Sequence, residues 1–100
     1  MAIDVRIPTI LRTYTGGEKV VSGEGSTLAA LIDNLESNHP GIKERLIDGS
    51  ELRRFVNVYV NDEDVRFTGS LETKLDDGDE VVVLPAVAGG SAAMVQVARG

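Results

Sequence analysis

One stretch of this sequence has residue types and spacing that point to a chemical task. Pro85-Ala86-Val87-Ala88-Gly89-Gly90 follows the turn Asp77-Gly78-Asp79 and the apolar run Glu80 to Leu84. It has no bulky polar side chain and ends on two glycines, which lack a Cβ. Such a segment suits threading into a narrow channel better than packing into a core. The domain is therefore read as a handle that presents this segment to other enzymes. Ten further residues, Ser91 to Gly100, follow the glycine pair.

The rest of the chain offers little catalytic equipment. His39 stands beside Pro40, where a surface or capping role is the ordinary one. Asp62, Glu63 and Asp64 lack the ligand spacing of a calcium loop and read as a solvated turn. Asp76, Asp77, Asp79 and Glu80 read first as turn residues and second as docking groups. Gly23 and Gly25 precede a helical pattern, but no phosphate-loop lysine follows. The absence of cysteine excludes disulfides, thiolate metal sites and cysteine nucleophiles, and a single histidine leaves no zinc-ligand cluster. No catalytic residue, metal or bound cofactor is assigned to the chain.

The elements that must position the segment follow from periodicity. Residues Ala2 to Ile7 alternate, with Ile3, Val5 and Ile7 on one face of a strand. Ile10 and Leu11 are expected to prolong that extended path toward a turn at Gly16-Gly17, and Glu18 to Ser22 supplies a second strand. Ser26 or Thr27 is placed to cap a helix whose Leu28, Leu31, Ile32 and Leu35 recur at helical spacing. Pro40-Gly41 ends it, and Ile42 and Leu46 imply one more helical turn before the polar loop Asp48 to Glu51. Phe55 to Val60 is the strongest strand, with Val56, Val58 and Val60 toward the core. A brief strand is expected at Val65 to Phe67, after a turn at Asn61-Asp62. Leu71 and Leu75 cap the core, and Val81 and Val83 alternate with Val82 and Leu84 in the last strand.

This order predicts an α+β domain of two layers: a mixed sheet of four to five strands with one main helix on one face. A hairpin, a helix and then the remaining strands describe a β-grasp, ubiquitin-like roll, with the first and last strands parallel at the centre. A ferredoxin-like arrangement needs a second full helix, which Leu71 to Leu75 is too short to provide. Residues 1–88 form the domain and its emerging tail, 89–90 the diglycine and 91–100 an extension. The sheet's outer face is expected to carry Phe55, Tyr59, Val82 and Leu84 as a partner-docking patch.

Composition bounds the reading. With 100 residues, 42% hydrophobic and 26% charged, the chain has the make-up of one globular domain. The net charge of −6 argues against nucleic acid and acidic membranes, and fits a basic partner surface or simple solubility. The start lacks the basic and apolar regions of a signal peptide, and no apolar run reaches membrane-spanning length. A cytoplasmic location is expected.

Three stretches carry a resemblance: Ile7-Pro8-Thr9-Ile10-Leu11-Arg12, Phe55 through Phe67, and Leu84 through Gly90. With the matching order of elements, the span from about Ile3 to Gly90 resembles the ubiquitin-like sulfur-carrier family of the MoaD/ThiS group, in particular its cysteine-biosynthesis branch. The resemblance implies that the carboxylate of Gly90 is adenylated with ATP on a ubiquitin-activating-type adenylyltransferase. Sulfur then displaces AMP to leave a thiocarboxylate. In the cysteine branch a PLP-dependent cysteine synthase supplies the acceptor, and a JAMM-type metalloprotease releases the product. Ala86, Val87, Ala88 and Gly89 become the threading tail.

The sequence departs from the family pattern because Ser91 follows Gly90, so that carbonyl is an amide. The extension is a removable pro-segment, or an expression remnant or the mark of a chain that no longer acts as a carrier, or it makes Gly100 the working terminus. Cleavage between Gly90 and Ser91 is the reading adopted. A protein modifier conjugated to lysines, and a plain β-grasp interaction module, are the competing functions.

Overall fold

The computed structural model describes residues 2–54 and 56–85. Its first strand, β1 (Ile3–Arg6), runs antiparallel to β2 (Val20–Gly23), and Ile7 extends the pairing through its N–H to Lys19 O. Helix α1 (Leu28–Asn38) is followed by the short α2 (Ile42–Leu46). A miniature ladder joins β3 (Ile47–Asp48) to β4 (Glu51–Leu52). The strands β5 (Val56–Val60), β6 (Glu63–Asp64) and β7 (Glu80–Pro85) complete the chain as described. The main sheet has five strands in the order β2-β1-β7-β5-β6, with β1 and β7 parallel at its centre. This is the β-grasp topology that the element order implies.

Strand alternation decides what lies beneath α1. Ile3, Val5, Val58, Val81 and Val83 are buried on the inner face, against Leu28, Leu31, Ile32 and Leu35 of the helix. Val56 and Val60 are half-buried and pack against the same core. Thr27 caps α1, its hydroxyl accepting the N–H of Ala30 at 3.2 Å. The loop from β2 to α1 packs closely on the helix at Gly25, where a Cβ would stand 2.5 Å from the backbone nitrogen of Leu31. Glu36 ties the two helices together by accepting the backbone N–H groups of Gly41 and Lys43, which hold its carboxyl below the usual carboxylate range.

Three expectations need correction. Ile10 and Leu11 do not continue the strand; Thr9–Tyr14 forms a 3-10 helix. Pro8 has no N–H to donate to a ladder, and the turn lets Leu11 drop into the core while Ile10 stays exposed. The brief strand is Glu63–Asp64 rather than Val65 to Phe67. Asn61 and Asp62, both at positive φ, make a two-residue hairpin that pairs Glu63 with Val60 at once. Asp64 then accepts the Arg66 N–H and starts a 3-10 turn over Val65–Phe67. The loop Asp48 to Glu51 is no simple loop, since it closes the β3–β4 ladder.

Candidate functional site

The presented segment begins where β7 ends. β7 pairs with β5 from Val81↔Val60 to Pro85↔Val56 and with β1 from Glu80↔Asp4 to Val82↔Arg6. β7 is thus anchored in the middle of the sheet, and its last residue, Pro85, keeps its pairing with Val56 of β5. At the other end of β7 the turn is fixed by Asp79, whose carboxylate accepts from Asp76 N at 2.8 Å and from Asn61 Nδ2 at 3.0 Å. These donors hold its carboxyl below the usual carboxylate range. Ala86, Val87, Ala88, Gly89, Gly90 and Ser91 lie outside the described residues, as does Phe55.

The outer sheet face brings Tyr59 and Val82 together as register partners, both half-buried. Leu84 lies on the same face opposite Asn57 and is exposed. Two residues join them that the sequence reading did not single out. Arg6 pairs in register with Val82 on one side and Val20 on the other, so Val20, Arg6, Val82 and Tyr59 form one row across four strands. The Arg6 Nε–H donates to Glu80 Oε2 at 2.7 Å, and this bond raises the guanidinium's pKa above its ordinary value. The face is a mixed surface: apolar positions around one exposed ion pair. Alternation in Ile3–Arg6 had marked Arg6 as outward; only the register shows that it sits among apolar neighbours.

The free edge of β5 is also covered. The Arg66 guanidinium donates to Val56 O and Asn57 Oδ1, both at 2.7 Å, beyond the point where β6 stops. A strand edge occupied this way is less open to pairing with other chains. Of the other candidates, His39 is the C-cap of α1, with its backbone N–H bonded to Leu35 O. Asp62 sits in the β5–β6 turn. Among the described residues no group of three His, Cys, Asp or Glu side chains could hold a metal ion.

The fold is that of a ubiquitin-like carrier, and comparison with known proteins gives the family. The ThiS family model matches residues 5–90, so the chain belongs to the ThiS family. The sulfur carrier protein CysO of Mycobacterium tuberculosis is 61% identical over 93 residues, covering 90% of this chain and all of the relative. A chain in the crystal structure of the Amycolatopsis orientalis BexX/CysO complex is 61% identical with a TM-score of 0.86, covering 89% of this chain and all of that one. Small archaeal modifier protein 3 of Haloferax volcanii is 33% identical over 92 residues, covering 90% of this chain and all of the relative. The chain is a sulfur carrier of the CysO type. Proteins of this kind are small carriers, and the BexX/CysO complex shows that such a carrier assembles with another protein. Among the described residues no helix is long and apolar enough to cross a membrane.

Proposed function

We propose that sulfur is carried on Gly90 as a thiocarboxylate, after cleavage of the Gly90–Ser91 bond frees its carboxylate. A carboxylate oxygen attacks the α-phosphate of ATP and pyrophosphate leaves, giving an acyl adenylate. A sulfide-level sulfur nucleophile then attacks the acyl carbon, the C–O bond to AMP breaks, and AMP leaves with its electron pair, giving the thiocarboxylate. ATP is bound by the activating partner, an adenylyltransferase of the ubiquitin-activating type. This chain contributes the acyl group and its handle; it is not itself the enzyme. The acceptor step belongs to a PLP-dependent cysteine synthase, release to a JAMM-type metalloprotease, and the sequence of steps to the cytoplasm.

The observation that carries this reading is the extent of the ThiS match, which ends at residue 90, on the second glycine. The anchoring of β7 between β1 and β5 supports it, because Gly90 is five residues past Pro85. An extended stretch of that length reaches at most about 17 Å, enough to enter a partner's site while the domain stays outside. Tyr59, Val82 and Leu84, with Phe55, are the proposed docking patch for that partner.

The test is adenylation in vitro. With the activating enzyme and ATP, chain ending at Gly90 should release pyrophosphate, and chain in which Ser91 still follows should not. Equal release from both would place the reaction elsewhere. A second reading, protein modification, is favoured by the likeness to small archaeal modifier protein 3. Lysine conjugates of higher mass, without a thiocarboxylate, would select it.

A further inference from the structure

A second surface lies beside the end of β7, on the sheet side opposite the Tyr59–Val82–Leu84 patch. A groove of about 260 Å³ is lined by Pro8, Ile10, Leu11, Arg45, Val56, Val83 and Pro85. Its volume falls below the roughly 300 Å³ at which small-molecule sites begin, so it fits a protein side chain better than a cofactor. Ile10 on its rim is two-thirds exposed, at 66%.

Arg45 lines this groove, and Arg12 and Arg53 are bonded to carbonyls next in the chain to its lining residues; all three are held through Nε. Arg12 donates from Nε to Ile7 O at 3.2 Å, next to the lining residue Pro8. Arg45, itself in the lining, donates from Nε to Tyr14 Oη at 2.7 Å and lies over that ring. Arg53 donates from Nε to Glu44 O at 2.7 Å, beside Arg45. Anchoring through Nε leaves the terminal guanidinium nitrogens without a partner among the described residues. None of the three has a carboxylate within 4 Å there. The nearby acid is Glu44, next to Arg45 in the chain, and Asp48 and Glu51 share a neighbouring depression with Arg53. A fixed guanidinium with free terminal nitrogens matches a carboxylate and has less side-chain freedom to lose on binding.

Five acidic residues lie at the opposite end of the strands. Asp76, Asp77 and Asp79 lie in the turn before β7, tied to Ala2 and Asn61, and Asp62 and Glu63 lie at the β5–β6 turn. A chain of net charge −6 therefore presents arginines where its tail departs. We infer that this groove and its arginines dock an apolar side chain flanked by Asp or Glu on the partner that takes up the tail. The inference rests on the tail reading above, and it assigns the partner an acidic, not basic, surface at this point. The chain's own residues 86–100 fit poorly as occupant, since they contain no Asp or Glu and one Arg.

The probe is BexX, the protein joined with CysO in the related complex. Binding of the full chain to BexX should weaken as salt rises from about 50 to about 300 mM, and the Arg45→Glu/Arg53→Glu variant should bind about tenfold more weakly with a flatter salt response. Ile10→Asp should also weaken binding, with melting temperatures of both variants close to the parent's. Unchanged affinity in the double variant overturns the inference, as does failure of the parent to bind at low salt or binding that ignores salt. Self-association of the parent that the double variant abolishes would put a second copy in the groove and overturn it too. So would shifts of Ile10 and Leu11 NMR signals on Met94→Ser/Val95→Ser substitution in the free chain. The tail reading stands or falls separately, on pyrophosphate release at Gly90.

Discussion

The two faces of the sheet are made by the same strands and do opposite work. Inward, Ile3, Val5, Val58, Val81 and Val83 are aliphatic and buried under α1. Outward, Val20, Val82 and Tyr59 share one row with the single charge of Arg6, which is bonded to Glu80. The residues buried under α1 supply rigidity and the exposed positions stay available, so a substitution should act on stability or on binding according to whether its side chain is buried in that core.

The sharpest way to break that separation is Leu31→Ala on α1, where the side chain is fully buried. It should cost about 3 kcal/mol and lower the melting temperature by about 15 °C, read by thermal denaturation. Next is Gly25→Ala, whose new Cβ would press on the Leu31 backbone. A loss of about 2 kcal/mol is expected from overpacking, measured by urea titration. Thr27→Ala removes the helix cap and should lose about 1 kcal/mol by the same titration. At the outer face, Leu84→Asp should change stability by no more than about 0.5 kcal/mol while weakening partner binding. A large stability loss there would show that the two faces are not separable.

A pH series adds a smaller effect. The carboxyl of Asp79 is held below its unfolded value of about 3.9, so its contribution is full above that pH and is lost as pH falls through the lower folded value. The melting-temperature gap between parent and Asp79→Ala should be present at neutral pH and close below about pH 4. A gap that grew in acid would contradict the hydrogen-bonding role.

The inner face was legible in the sequence because burial leaves a periodic record. Leu28, Leu31, Ile32 and Leu35 mark α1, and Val56, Val58 and Val60 mark β5, as observed. The parallel pairing of β1 and β7 followed from element order. What periodicity could not give was local turn geometry. Ile10-Leu11 is apolar in either a strand or a 3-10 helix, and Pro8 decides by withholding a donor. Val65 to Phe67 has strand-forming residues, yet the Asn61-Asp62 turn brings pairing forward to Glu63. The groove that holds Arg45 takes Pro8, Ile10 and Leu11 from one part of the chain and Val56, Val83 and Pro85 from others, and only tertiary structure gathers them.

The central proposal concerns one bond and one atom: that Gly90–Ser91 is cut and that sulfur replaces an oxygen on the new terminus. Intact-mass measurement on the protein from its native cell tests it directly. The account predicts a species ending at Gly90 with one oxygen exchanged for sulfur. Full-length chain alone, with Ser91 to Gly100 still attached, would contradict it.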